Sequence, residues 1–445
     1  MNQGFIRFCA PYIVGLVLGA QWPASAQTHP AAQTRHGIAV PIGGALKYDN
    51  EEVWTRLVEL AGGKGARFAV FATASGDPEK SAERIIEALT KYGAIAEHIP
   101  VAPKLKGPNF ADVRDAVRDP VLIAKVKASR GIYFAGGAQE RITAAFFTAE
   151  GAQTPMLNAI WDVFNRGGVV AGSSAGAAIM SATMFRDPPE VLDILKAGTN
   201  GLLEGKDIDR GLGFVGAEIF VDQHFLKRGR IGRMLPLMVQ KGYKLGVGVD
   251  ENSAVIFDGD EIEVIGAKGA LLADLETSNV DKSWPEFNLK NAKLTYLDHG
   301  DRFNLKTKVV SPSVQKLRGQ KIDPNADNFL PFFKAEAFYP DILGDTVIVN
   351  AMSHLIDSKQ QTLIGLAFNA EGLAAQDINR KSPALGFEFR LRKGADSLGY
   401  FTGAWGGEDY TIINIYLDVV PISMARPLYK MRERKLPRAA SRLTK

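Results

Sequence analysis

The sequence has almost no cysteine, since Cys9 is the single one among its 445 residues. Cys9 lies within a segment that has the features of an export signal, described below, so we expect the mature chain to carry no thiol. This absence excludes a cysteine nucleophile, a cysteine-ligated metal and disulfide bonds for the mature protein. Its chemistry has to come from other side chains.

Long apolar runs and strong net charge are also lacking. After residue 26 no segment approaches the roughly 20 apolar residues of a membrane-spanning helix, so we expect the mature chain to have no membrane anchor. The net charge is only +4, and nothing resembles a nucleic-acid-binding module. The composition, 46% hydrophobic and 23% charged, is that of a globular protein.

The two ends of the chain differ from the rest. Arg7, the apolar run Pro11–Ala20 and the small-residue site Ala24-Ser25-Ala26 together predict a signal peptide over residues 1–26. We therefore expect export, to the periplasm or out of the cell. The last twenty residues, Arg426–Lys445, hold eight Lys and Arg against one Glu, which predicts a solvated basic tail; contact with an acidic surface is the alternative.

Short apolar segments alternate with amphipathic ones from residue 36 onward. Strands are predicted over residues 37–42, 67–72, 94–101, 131–135 and 169–171, and helices over residues 51–61, 78–92 and 110–129. This alternation predicts an α/β fold, a mostly parallel sheet with helices on both faces. Later strands are predicted over residues 217–221, 245–249, 253–257 and 261–265. Asp258-Gly259-Asp260 joins the last two as a hairpin, so antiparallel strands are expected at one end.

The pattern changes after about residue 275. Residues 346–366 are predicted as a helix, and residues 385–392 and 410–420 alternate with the period of half-exposed strands. We therefore predict an α/β domain over residues 36–275, a smaller mixed α+β domain over residues 276–425, and the basic tail.

The most informative motif is a G-x-S-x-G sequence between a predicted strand and a run of small residues. It is Gly172-Ser173-Ser174-Ala175-Gly176. The pattern is typical of a nucleophile elbow, in which the serine sits on a strained strand-to-helix turn. The glycines leave room for that turn, and the helix N-terminus favours a developing oxyanion. We therefore predict Ser174 as a nucleophile; the alternative is an ordinary tight turn.

A serine nucleophile needs a base to take its proton and a carboxylate to orient that base. His224 differs from the other five histidines because it ends a predicted strand, at the edge where open α/β sheets carry active sites. Asp250 and Glu251 follow the next predicted strand, and either could orient the imidazole. The order serine, histidine, acid differs from that of α/β-hydrolase esterases.

Two further groups accompany these residues. The backbone N–H groups of the Gly136-Gly137 pair, together with that of Ala175, could form an oxyanion hole. Three arginines follow His224 and suggest recognition of carboxylates, although a solvated helix start is the alternative. They are Arg228, Arg230 and Arg233.

These residues together resemble the cyanophycinases, serine hydrolases of the peptidase S51 group, which has a class I glutamine-amidotransferase-like fold and also contains aspartyl dipeptidases. The likeness spans roughly residues 36–275 and rests on Gly43-Gly44-Ala45, Gly136-Gly137-Ala138-Gln139, Gly172–Ala177, Asp222-Gln223-His224-Phe225 with the three arginines, and Asp250–Ala254. The leader and the extra C-terminal region are similar to those of exported cyanophycinases.

The resemblance implies a function and a set of roles. Ser174 is then the nucleophile, His224 the general base and Glu251 its orienting partner, with no metal or cofactor required. The substrate is cyanophycin, a poly-aspartate with arginine amide-linked to each side chain, and the products are β-Asp-Arg dipeptides. The residues implied to line the substrate pocket are Gln139, Asp222, Gln223, Arg228, Arg230 and Arg233.

Two positions depart from the pattern of the family. Ala138 stands where the family usually has aspartate, and Ser173 stands where it often has threonine. The competing interpretations are an exported aspartyl or isoaspartyl dipeptidase, an esterase, and a non-catalytic polymer-binding relative. The C-terminal domain could anchor polymer, position an active-site loop or mediate formation of a homodimer.

Overall fold

The computed structural model describes residues 37–107, 110–371, 383–406, 409–429 and 432. The predicted signal peptide, Cys9 and most of the basic tail lie outside these residues. No helix in the described part of the chain has the length and apolar composition needed to cross a membrane.

The described ranges form strands and helices that alternate along the first half of the chain. The strands are β1 (Ile38–Ile42), β2 (Arg67–Phe71), β3 (Ile95–His98), β4 (Gly131–Phe134), β5 (Val169–Ser173), β6 (Thr183–Phe185), β7 (Ile208–Arg210), β8 (Ile219–Asp222), β9 (Leu245–Val249), β10 (Ser253–Asp258), β11 (Glu261–Gly266), β12 (Ala270–Asp274), β13 (Leu289–Leu297), β14 (Arg302–Asn304), β15 (Val310–Ser311), β16 (Gln320–Ile322), β17 (Phe338–Tyr339), β18 (Thr362–Phe368), β19 (Ala384–Thr402) and β20 (Asp409–Met424). The helices are α1 (Glu51–Leu60), α2 (Pro78–Lys91), α3 (Val113–Ala116), α4 (Pro120–Lys127), α5 (Glu140–Phe146), α6 (Pro155–Asn165), α7 (Ala175–Ala178), α8 (Val191–Lys196), α9 (Ile231–Lys241), α10 (Val314–Arg318) and α11 (Val347–Ile356).

The first sheet has the strand order β15-β14-β11-β10-β1-β5-β4-β2-β3. The five neighbouring strands β1, β5, β4, β2 and β3 are parallel. The remaining strands β10, β11, β14 and β15 pair antiparallel. Alternate residues of β2 enter two separate apolar clusters: Phe68 and Val70 pack with α1 and α2, and Ala69 and Phe71 pack with α5 and α6. Helices therefore cover both faces of the parallel half, and the predicted fold class is confirmed.

The second sheet has the order β17-β18-β19-β20-β13-β12-β9-β8, and β16 pairs with β19 beside it. β8 and β9 are parallel, and β12 pairs antiparallel with both β9 and β13. Residue 275, where the sequence suggested a boundary between domains, thus lies between two hydrogen-bonded strands of one sheet. The apolar cluster on this sheet also draws on α8, α9 and α11.

One predicted element of the C-terminal part is wrong. Residues 346–366 are not one helix, because α11 ends at Ile356 and β18 begins at Thr362. The polar segment from Asp357 to Gln361 breaks the apolar pattern, and β18 then alternates between buried and half-buried side chains. The two strands predicted after it are confirmed, and both are longer than expected: they are β19 and β20.

Candidate active site

Ser174 lies on a strained turn between β5 and α7. Its backbone has φ 55° and ψ −108°, a conformation that costs energy for any residue with a Cβ. The flanking glycines make the turn possible: a Cβ on Gly172 would lie 2.5 Å from the Gly176 carbonyl oxygen, and one on Gly176 would lie 2.3 Å from that of Phe134. The predicted elbow geometry is present.

The structure brings Ser174, His224 and Glu251 together. Ser174 Oγ lies 2.9 Å from His224 Nε2, and His224 Nδ1 lies 2.6 Å from Glu251 Oε1. With the ring proton on Nδ1, that nitrogen donates to the carboxylate and leaves Nε2 free to accept the serine proton. Ser174 follows β5 of the first sheet, whereas His224 and Glu251 follow β8 and β9 of the second. The site therefore lies where the two sheets meet.

Asp250, the other candidate for orienting the histidine, has a different set of partners. Its Oδ1 accepts the backbone N–H groups of Leu226 and Lys227, each at 3.1 Å, and its Oδ2 lies 3.1 Å from Lys268 Nζ. Asp250 is fully buried and contacts the segment just after His224 rather than its imidazole. Of the two neighbouring carboxylates, Glu251 is therefore the one that contacts the imidazole.

The glycine pair after β1 supports both the histidine and the acid. The Gly43 carbonyl accepts the His224 N–H at 2.6 Å, and the Gly44 carbonyl accepts the Asn252 N–H at 2.8 Å. A Cβ on Gly44 would lie 2.3 Å from His224 Cε1, so only glycine fits beside the imidazole. This supporting role could not be predicted from the sequence.

Asn252 is a second residue whose role the sequence did not reveal. It adopts a left-handed φ of 57°, which suits asparagine better than most residues. Its Oδ1 accepts the Lys47 N–H and the Asn50 side-chain amide, both at 3.0 Å. The turn that carries Glu251 is thereby tied to the segment after β1.

The glycines after β4 lie beside the nucleophile. A Cβ on Gly136 would lie 3.2 Å from Ser174 Cβ, and Gly136 lines the same cavity as the serine. Gly137 has φ 141° and packs against the Ala74 carbonyl, which a Cβ would approach to 2.1 Å. The oxyanion roles of the Gly137 and Ala175 amides stay predictions.

A cavity of about 410 Å³ opens above Ser174. Its walls include His224, Glu251 and Arg228, together with three aromatic side chains that stack on one another. They are Tyr48, Trp54 and Tyr133. Tyr48 is 45% exposed, so its ring forms an accessible wall of the cavity.

Only one of the three predicted pocket arginines lines this cavity, because the other two are buried against Asp222. Arg228 is exposed there. Arg233 binds Asp222 through two hydrogen bonds of 2.7 and 2.6 Å, and Arg230 lies 3.5 Å from the same carboxylate. Arg233 also packs over the Phe185 ring at 4.2 Å. Asp222 and the two buried arginines thus neutralise one another within the protein.

The two predicted glutamines also lie outside the lining of the cavity. The Gln139 side chain donates to the Phe185 and Arg186 carbonyls at 2.9 and 3.2 Å. Gln223 is buried, and its Oε1 has no hydrogen-bond partner among the described residues. Contact of either glutamine with a ligand stays a prediction.

Burial and neighbouring charges shift the proton affinities of the site. Burial lowers the pKa of His224 below 6.5, and Arg228 and Arg230 lower it further, while the hydrogen bond that His224 donates to Glu251 opposes this. Burial acts to raise the pKa of Asp222, but Arg233 and Arg230 outweigh it and hold that pKa below its ordinary value. Burial lowers the pKa of Arg230 to about 10. At neutral pH, His224 is uncharged and Asp222 is ionised.

Metal-binding potential is limited in the described ranges. There, no group of three or more His, Cys, Asp or Glu side chains is placed to hold a metal ion.

A serine on an elbow, hydrogen-bonded to a histidine that a carboxylate orients, defines a serine hydrolase. The sequence profile of peptidase family S51 matches residues 41–265, just over half of the chain, and this range contains all three residues. The chain belongs to peptidase family S51 and is a peptidase, which sets the esterase interpretation aside.

Several known proteins are similar to this chain. A cyanophycinase of Geminocystis herdmanii is 32% identical over 279 residues, which are 60% of this chain and 93% of that protein. A cyanophycinase of Nostoc sp. is 28% identical over 299 residues, 64% of this chain and 90% of that protein. A crystal structure of a peptidase from an acI-B1 Actinobacterium covers 61% of this chain and 98% of its own, at 21% identity and a TM-score of 0.44.

Proposed function

We propose that this protein is an exported serine peptidase that degrades cyanophycin to β-Asp-Arg dipeptides. The observation that carries the proposal is the hydrogen-bonded series Ser174, His224 and Glu251 on the elbow. The similarity to cyanophycinases supports the choice of substrate. The apolar leader over residues 1–26 supports export.

The proposed reaction passes through an acyl-enzyme. Ser174 Oγ attacks a backbone carbonyl carbon of the polymer while neutral His224 takes its proton at Nε2. The backbone amides of Ala175 and Gly137 stabilise the oxyanion. As the C–N bond breaks, His224 returns the proton to the leaving amine. A water molecule, deprotonated by His224, then attacks the ester carbonyl carbon. As the bond from that carbon to Ser174 Oγ breaks, His224 returns the proton to Oγ and the second product leaves as an acid.

The cavity walls suit a substrate that carries both charges. Each unit of cyanophycin offers the free carboxylate and the guanidinium of its arginine. Arg228 can bind a carboxylate through two hydrogen bonds, and the exposed Tyr48 ring can stack on a guanidinium. Arg230 and Arg233 contribute indirectly, because they and Asp222 hold the segment that carries His224.

Purified mature protein should clear a suspension of cyanophycin and release β-Asp-Arg, identified by mass. Clearing with this product supports the reaction and the substrate together. A protein that leaves the suspension turbid but cleaves isoaspartyl or aspartyl peptides would instead be a dipeptidase of the same family. Export is tested separately, by assaying activity in the periplasm and the medium with and without residues 1–26.

The pH dependence of activity should follow the lowered pKa of His224. The base acts only when neutral, so the acidic limb of kcat/KM should have its midpoint below pH 6.5. Glu251→Gln replaces the carboxylate that raises this pKa with a neutral amide, so the acidic limb should move to lower pH and the maximal kcat/KM should fall. A wild-type limb centred above pH 6.5 would argue against His224 as the base.

A further inference from the structure

A cleft of about 630 Å³ is lined by a different set of residues from the active-site cavity. We call it the arginine cleft. Its charged lining residues are Arg114, Arg118, Glu140, Glu150, Arg186, Asp209 and Arg210. The mechanism above uses none of them.

Part of this charge is satisfied within the protein. Arg186 forms an ion pair with Asp209 at 3.0 Å. Arg210 donates to the Gly151 carbonyl at 2.7 Å and packs over the Phe147 ring at 4.3 Å. These contacts fix one wall of the cleft.

Other residues of the lining present charges that are open to solvent. Arg114 in α3 and Arg118 just after it are exposed, as is Glu150, and Glu140 at the start of α5 is half-buried. Two guanidiniums thus face the same space as two carboxylates. A ligand that alternates the two charges would match this arrangement, whereas a simple polyanion would meet Glu140 and Glu150.

The cleft and the active site lie at the same edge of the first sheet. Glu140 of the cleft lies at the start of α5, six residues after the carboxyl end of β4, and Gln139 beside it bonds to the Arg186 carbonyl, while Ser174 directly follows β5. Ligands of open α/β sheets bind outside this edge. The cleft is therefore placed to receive a ligand that also reaches the nucleophile.

One short loop connects the two sites. Gly136 lines the active-site cavity and Glu140 lines the arginine cleft, so four residue steps separate them, at most about 14 Å of chain. Gln139, within this loop, donates to the Arg186 carbonyl at 3.2 Å and so fastens the loop to the cleft wall. A peptide backbone covers the same distance in about four or five residues.

We propose that the arginine cleft binds the cyanophycin chain about four or five units away from the bond that is cut. Arg114 and Arg118 bind the carboxylates of the arginyl groups, and Glu140 and Glu150 bind their guanidiniums. The cleft holds the polymer while Ser174 acts on it. This inference rests on the proposed function, and it adds a second binding site to it.

Reversing the charge of the two exposed arginines should weaken polymer binding. In a Ser174→Ala background, which stops turnover, Arg114→Glu with Arg118→Glu should bind sedimented cyanophycin about tenfold more weakly than the background alone. The matched control is Arg318→Glu with Lys321→Glu, which makes the same change of net charge at two exposed positions away from the cleft. The control should bind as the background does.

Turnover on two substrates separates the cleft from the catalytic site. With Ser174 present, the double variant should show a KM about tenfold higher for polymer, with kcat/KM unchanged for an oligomer of two β-Asp-Arg units, which is too short to reach the cleft. Equal losses on both substrates, or polymer binding equal to that of the control, would overturn the proposal that the cleft binds polymer. The proposed function would not be affected by either result. A wild type that cleaves neither substrate would overturn the proposed function, and the cleft with it.

Discussion

Replacing Ser174 with alanine should lower kcat/KM for cyanophycin by about 10⁴- to 10⁶-fold, the loss typical of removing the nucleophile of a serine hydrolase. The residual rate comes from groups that bind the transition state without the nucleophile. The strained turn should survive, because alanine keeps the Cβ that serine already carries at φ 55°. Release of β-Asp-Arg from polymer measures the effect.

Ser173→Ala is the matched control for this variant. Ser173 is the neighbouring hydroxyl and lines the same cavity, but the hydroxyl that bonds to His224 Nε2 is that of Ser174. It should therefore keep most of the activity. If Ser174→Ala retained more than a few per cent of the wild-type rate, the assignment of the nucleophile would be wrong.

Replacing Asp222 with alanine should reduce the free energy of unfolding by about 3–5 kcal/mol, the usual cost of leaving a buried charge without its partner. Arg233 would lose both of its hydrogen bonds to the carboxylate, and Arg230 would lose its nearby counter-charge. Urea-induced unfolding, followed by tryptophan fluorescence, measures the change. Because Asp222 is two residues before His224, activity should fall as well.

The control for this prediction is an aspartate that forms an ion pair on the surface. Asp193 lies 2.9 Å from Lys196 Nζ, with its side chain 59% exposed. Asp193→Ala should cost less than about 1 kcal/mol, since water and salt screen an exposed pair. If the two variants cost the same, the buried pair would not be the structural support that its geometry indicates.

The elbow could be predicted from the sequence because its determinants are local. Gly172 and Gly176 flank Ser174 within five residues, and the strand and helix on either side follow directly in the chain. His224 was found from its position at the end of a strand. The choice between Asp250 and Glu251 could not be made from residue type, because both follow the same strand. It depends on which carboxylate the turn at Asn252 directs toward the imidazole.

The partners of the three arginines could not be predicted from the sequence. A cluster of guanidiniums after a histidine indicates carboxylate recognition, but the sequence does not say whether the carboxylate belongs to a ligand or to the protein. Asp222 precedes Arg233 by eleven positions, and their contact depends on how β8 meets α9. The pairing of distant strands could not be predicted from the sequence either. β13 and β20, which are neighbours in the second sheet, lie more than a hundred residues apart in the chain.

The continuity of the second sheet limits how this protein can be shortened. A chain ending after residue 275 would keep Ser174, His224 and Glu251 but lose β13, the partner of β12. The backbone groups of Ala270–Asp274 would then form an open edge, with Leu271 and Leu272 uncovered beside it. Exposed apolar edges recruit strands from other molecules. We therefore expect a catalytic fragment that ends at residue 275 to self-associate through this edge, which β13 covers in the longer chain.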